Sequence, residues 1–206
     1  MPSLFIALIF LTTLTHAKEP VGEIKDAIAS EYALKLAPEI NPKHLDKLTG
    51  KRAGTPYLRR ACFILESSRL AGAEPKTVIE KAHKLTGPHP ENRTKEQQAS
   101  LLLNLKTPRE LGCLNEEGMG KLKTGNAPTI SKGKYKGELA TADHLLPRSI
   151  VPELRNRLFN LQFMPSTLNQ EKGNKITEIE LVVGERWHLE GLLSKEGIEE
   201  VLSRVE

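Results

Sequence analysis

Residues 139–175 read LATADHLLPRSIVPELRNRLFNLQFMPSTLNQEKGNK, and this stretch decides the fold class. Leu139 to Leu146 is short, apolar at both ends and stopped by Pro147, which has no N–H to give to a strand ladder. Phe159 to Met164 is a second short run suited to a strand. Thr167 to Lys175 then turns polar and helix-forming, with Asn169 near its opening. Sixteen residues separate His144 from Asn160, room for a turn and a returning strand, and nine separate Asn160 from Asn169. The expected local order is strand, strand, helix, with Asn160 inside the second strand.

Outward from that stretch the signals are helical. Val21, Ile24, Ile28 and Tyr32 fall near helical spacing, as do Leu58, Cys62 and Leu65. Pro75 opens and Gly87-Pro88 closes a helix with Val78, Ile79, Ala82 and Leu85 on one face. Thr94 to Gln97 reads as a capping box before Leu101 to Leu105, and Thr107 to Glu110 reads as a second helix start. Lys123 to Gly137 loses helical period and is rich in Gly and Lys. After Ile176, the run through Leu181, Trp187, Leu193, Ile198 and Val201 predicts two packing helices. Aromatic residues are 4% of the chain, too few for a sandwich or barrel that leans on aromatic strands. The fold class expected is α+β, mostly helical, with the strand–strand–helix unit in the C-terminal half flanked by helices. Its divisions are 1–17, 18–117 (helical), 118–176 (the unit) and 177–206 (C-terminal packing helices).

Residues 1–17 are of a different kind. Leu4 to Leu14 is an uncharged apolar run, too short for a relaxed membrane-spanning helix, and Thr15-His16-Ala17 offers small residues before Lys18. This matches a secretory signal peptide cleaved near Ala17, so the expected location is secreted or periplasmic, with no transmembrane segment in the mature chain. An uncleaved anchor or a buried N-terminal helix is the alternative reading. Cys62 and Cys113 form no CxxC pair, which argues against cysteine-built metal sites. In an oxidising compartment they would most simply form one disulfide, and two buried thiols are the alternative.

Charge is concentrated. Residues 118–176 hold ten lysines and arginines against four acidic residues, a net +6, while the rest of the chain carries −2. A polyphosphate partner requires a basic segment of this kind, although charge alone does not identify one. Within it, Asp143 and Asn169 supply a carboxylate and an amide oxygen able to hold a hard divalent cation. His144 supplies an imidazole that can take a proton from an attacking water. Basic side chains beside these, Arg148, Lys172 and Lys175, can meet a substrate backbone. Taken singly each residue is weak evidence: an Asp-His pair is mostly surface polarity, and an Asn at a helix start usually caps it.

Taken together they resemble a known family, the HNH endonucleases, built as a β-hairpin followed by a metal-binding helix. ADHLLPRS is similar to the family's first-strand segment, FNLQFMPSTLN to its central-Asn segment and NQEKGNK to its helical signature. The resemblance covers roughly 139–176 and implies His144 as general base, with Asp143 and Asn169 as metal ligands. It implies Asn160 as the residue orienting His144, and Lys172 and Asn174 as contacts to the scissile region. It implies one divalent cation, Mg²⁺ with Mn²⁺ as the alternative, and a nucleic acid substrate, DNA ahead of RNA. Many members add two CxxC pairs around a structural zinc. Pro165 and Leu168 stand where the second pair would be, so no structural zinc is expected, and packing against the helical half and the Trp187 tail must hold the unit together. The oligomeric state stays open. Two other readings also stay open: a basic nucleic-acid-binding module of this fold without turnover, and a secreted helical interaction domain in which Asp143-His144 is incidental.

Overall fold

The computed structural model describes residues 21–49 and 54–205. The expected leader, 1–17, lies outside the described residues. Helices α1 (Val21–Ile40), α2 (Pro42–Leu45), α3 (Thr55–Leu70), α4 (Pro75–Leu85), α5 (Glu91–Glu110) and α6 (Glu116–Lys123) fill the N-terminal half. Strands β1 (Ala140–His144) and β2 (Leu161–Pro165) follow, then α7 (Ser166–Lys172), α8 (Glu178–Leu189) and α9 (Lys195–Leu202). The fold is therefore mostly helical with one small antiparallel sheet, an α+β arrangement. No helix among the described residues is long and apolar enough to cross a membrane.

Local chemistry sets the helix starts. Proline stands in the first turn of α2, α3 and α4, where its missing N–H costs nothing. Asn115 and Ser194 cap α6 and α9 by accepting from Gly118 N and Gly197 N. Helix α1 buries only part of the expected stripe, Ile28 and Tyr32 packing half-buried against the core, and its fully buried residues lie beside them. Ala29, Ala33, Leu36 and Ile40 face α3 and α4, while Val21 and Ile24 are exposed. The two alanines supply little bulk, so the helix axes can approach closely there.

The two helix starts read at Thr94 and Thr107 belong to one continuous helix, α5, with Pro108 in its last turn. Thr107 does not cap; its Oγ1 donates back to Leu103 O at 3.2 Å. Pro108 has no N–H to give to the carbonyl four residues earlier, that of Asn104. The Cys62 thiol donates to this carbonyl instead, at 3.6 Å. The expected disulfide is not formed: Cys62 and Cys113 are both buried thiols. Burial pushes the Cys113 thiol up to about 11 and the Cys62 thiol higher still.

The buried apolar residues form two clusters. The larger joins α1, α3, α4 and α5 to Ala140, Leu158, Leu161 and Phe163. The smaller joins the β1–β2 connection, through Leu146, Ile150, Val151, Leu154 and Phe159, to Ile176, Trp187, Leu193, Ile198 and Val201. The packing expected to hold the strand–strand–helix unit is present on both sides.

Candidate functional site

β1 and β2 pair antiparallel, with Asp143 opposite Gln162 and His144 opposite Leu161. Successive side chains on a strand point to opposite faces, so Thr141 and Asp143 share one. Helix α7 covers that face: Asn169 Nδ2 donates to Thr141 Oγ1 at 3.1 Å, and Lys172 Nζ lies 3.7 Å from Asp143 Oδ2. Glu138 fixes the start of α7 by accepting from Thr167 N at 2.9 Å and Ser166 Oγ at 3.1 Å. The Thr167 N–H beside it holds the Glu138 carboxyl below the usual range.

Two sequence expectations shift by a few residues. Asn160 ends a short 3-10 turn (Leu158–Asn160) immediately before β2, because its side chain is spent on the loop and not on a strand face. Asn169 is the fourth residue of α7, which begins at Ser166 directly after β2.

His144 is only partly exposed. Its Nε2 lies 2.8 Å from the Arg155 carbonyl, which can only accept, so Nε2 carries the proton. The neutral ring then keeps its lone pair on Nδ1. Burial pushes the His144 pKa below its ordinary value, and Arg148 and Lys172 act the same way; the Arg155 carbonyl and Asp143 oppose them. The loop that leads to the Arg155 carbonyl is tied by Asn160. Fully buried, that amide accepts from Leu146 N at 2.8 Å and donates to Leu146 O at 3.0 Å and Leu154 O at 3.4 Å. Asn160 does not touch the imidazole; it ties both ends of the loop that presents the carbonyl.

Asp143, His144, Arg148, Asn169 and Asn174 open on one cleft of about 770 Å³. Its far wall comes from residues that sequence reasoning missed: Thr55 and Arg59 of α3, Lys121 of α6, and Asn126. Lys121 at least lay within the basic segment, but nothing local marks Arg59, which stands well before that segment in sequence and is brought in by helix packing. Lys175 is exposed and outside the cleft lining, and Lys172 reaches the site from behind, through Asp143 and the His144 carbonyl. Among the described residues, three cationic side chains and one carboxylate, Asp143, line the cleft.

The donor set suits a hard cation. Asp143 contributes carboxylate oxygens, and Asn169, with its nitrogen on Thr141, has its amide oxygen to offer. Among the described residues no three His, Cys, Asp or Glu gather as a metal-binding group. An ion here would have few protein ligands and complete its shell with water and phosphate, the habit of Mg²⁺.

Comparison with known proteins finds no match among protein-family models, curated proteins or solved structures.

Proposed function

We propose that the protein is a metal-dependent endonuclease of the HNH type, hydrolysing phosphodiester bonds in nucleic acid. The observation that carries this reading is the meeting of Asp143, His144 and Asn169 on one basic cleft, with the His144 ring turned so that Nδ1 is its proton acceptor. His144 Nδ1 takes the proton of the attacking water. Asn160 and the Arg155 carbonyl hold the ring plane and tautomer during that transfer. Asp143 and Asn169 would hold the divalent cation, which when bound polarises the phosphoryl group and stabilises the leaving oxygen. Arg59, Lys121 and Arg148 neutralise the flanking phosphates, and Asn174 lies at the same rim. The signal-like residues 1–17 extend the proposal to action outside the cytoplasm.

Purified protein incubated with plasmid, linear DNA and RNA, with Mg²⁺ and with chelator, tests the reading. Cleavage should require the cation. His144→Ala should lower it by about 10²–10⁴-fold with substrate binding retained. Asp143→Ala and Asn169→Ala should be partly rescued by excess Mn²⁺, and His144→Ala should not. Binding of nucleic acid with no cleavage under any metal would favour the basic binding module over the enzyme.

A further inference from the structure

The side chain of Lys172 is nearly buried, 11% exposed, and its ammonium is aimed at the carboxylate of Asp143, itself 25% exposed. A hydrogen bond from Nζ to the His144 carbonyl, 2.9 Å, keeps it there. Lys172 comes one helical turn after Asn169 on α7. One face of one short helix therefore delivers two opposed groups to Asp143: an amide oxygen that would share a cation with it, and a fixed positive charge that repels one. Arg59 and Arg148 also line the cleft, as does Lys121, itself paired with Glu117, and among the described residues Asp143 is the sole acidic one lining it.

We propose that Lys172 is a resident counter-ion of Asp143 that keeps the free cleft a poor cation site, so that the metal binds well only together with a phosphodiester. This rests on the nuclease reading. A phosphodiester brings the negative charge that a single carboxylate lacks, and its oxygens complete the coordination shell that two protein donors leave open. Cation and substrate affinities are then linked, each raising the other by the same factor. Removing a unit charge a few ångströms from a divalent cation strengthens its binding by at least about tenfold even under strong solvent screening.

Mn²⁺ binding, followed by loss of the free-ion paramagnetic resonance signal, reads this without turnover. Lys172→Gln keeps a donor for the His144 carbonyl and loses the charge; Lys172→Arg keeps both. The free Lys172→Gln protein should bind Mn²⁺ at least about tenfold more tightly than the parent, and Lys172→Arg should match the parent. In a His144→Ala background, an oligonucleotide should tighten Mn²⁺ binding by a similar factor when Lys172 is present and by much less in Lys172→Gln, after subtracting binding to the oligonucleotide alone. Circular dichroism confirms that each variant is folded. Equal or weaker Mn²⁺ affinity in folded Lys172→Gln, or tightening in Lys172→Arg, would overturn the counter-ion role while leaving the nuclease reading intact, provided Asp143→Ala abolishes binding. Mn²⁺ binding indifferent to Asp143→Ala in both the parent and Lys172→Gln overturns both.

Discussion

His144 must be neutral to accept a proton, yet it sits one residue from a carboxylate that favours its charged form. Burial is the largest influence and favours the neutral ring; Arg148 and Lys172 push the same way, and together they prevail over Asp143 and the Arg155 carbonyl. A divalent cation on Asp143 would act in the same direction. Activity should therefore fall as pH drops through a folded-state value below the ordinary 6.5. The acid limb of kcat/KM measures it, and a midpoint above 6.5 would mean that the carboxylate dominates. Asn160 acts at one remove. Asn160→Asp places a carboxylate oxygen against the Leu146 and Leu154 carbonyls that its amide nitrogen now bonds. Repulsion there should release the Arg155 carbonyl from the ring. The expected result is a large loss in kcat with Mn²⁺ affinity nearly unchanged, together with a stability loss of about 2–4 kcal/mol for unsatisfied buried groups. Unchanged kcat in a folded variant would detach Asn160 from His144.

At the scale of elements, β2 has a partner strand on one edge only. Its other edge is covered by a side chain: Asn104 of α5 donates from Nδ2 to Leu161 O at 2.8 Å and accepts from Phe163 N at 2.9 Å. The amide thus imitates one residue of a third strand. Asn104→Leu should strand both backbone groups in the core and lower the melting temperature by on the order of 10 °C. A thermal melt decides it, and a shift within one degree would show that the edge needs no cover. This explains what was legible beforehand and what was not. The strand–strand–helix order, the buried stripe of α3 and that of α4 as far as Ala82 could be read because local patterning carries them, although Leu85 at the end of α4 is exposed. The continuity of α5 through Pro108, the thiol on the Asn104 carbonyl and the true buried face of α1 depend on neighbours distant in sequence. Asp143, His144, Asn160 and Asn169 stood out by spacing, whereas Arg59 and Arg155 took their places only through tertiary contact, and Lys172, legible as a basic helix residue, turns to Asp143 and the His144 carbonyl.

For the whole molecule, the strand–strand–helix unit is bounded by sequence at 118–176, but it is not bounded physically. Ala140, Leu158, Leu161 and Phe163 are buried by the N-terminal helices, and Leu146, Ile150, Val151, Leu154, Phe159 and Ile176 by the α8–α9 side. Bonds also cross both boundaries, from Asn104 to β2 and from Ser194 N to Glu153 Oε1 at 2.9 Å. Cut free, the segment would expose the apolar side chains of both clusters and keep one hairpin, which is marginal in water by itself. Neither cysteine lies within 118–176, and one cation on two protein oxygens is too small a staple for a segment below about 70 residues. A fragment 118–176 should therefore give the circular dichroism of a coil with or without Mg²⁺, and should bind nucleic acid only weakly and without cleavage. A chain spanning 18–206 should fold cooperatively. The cleft requires the same flanks, since Thr55 and Arg59 form part of its far wall. A folded, cleaving 118–176 fragment would show that the helices merely decorate the site; a coil would show that the N-terminal helices and the Trp187 tail hold the unit in its fold.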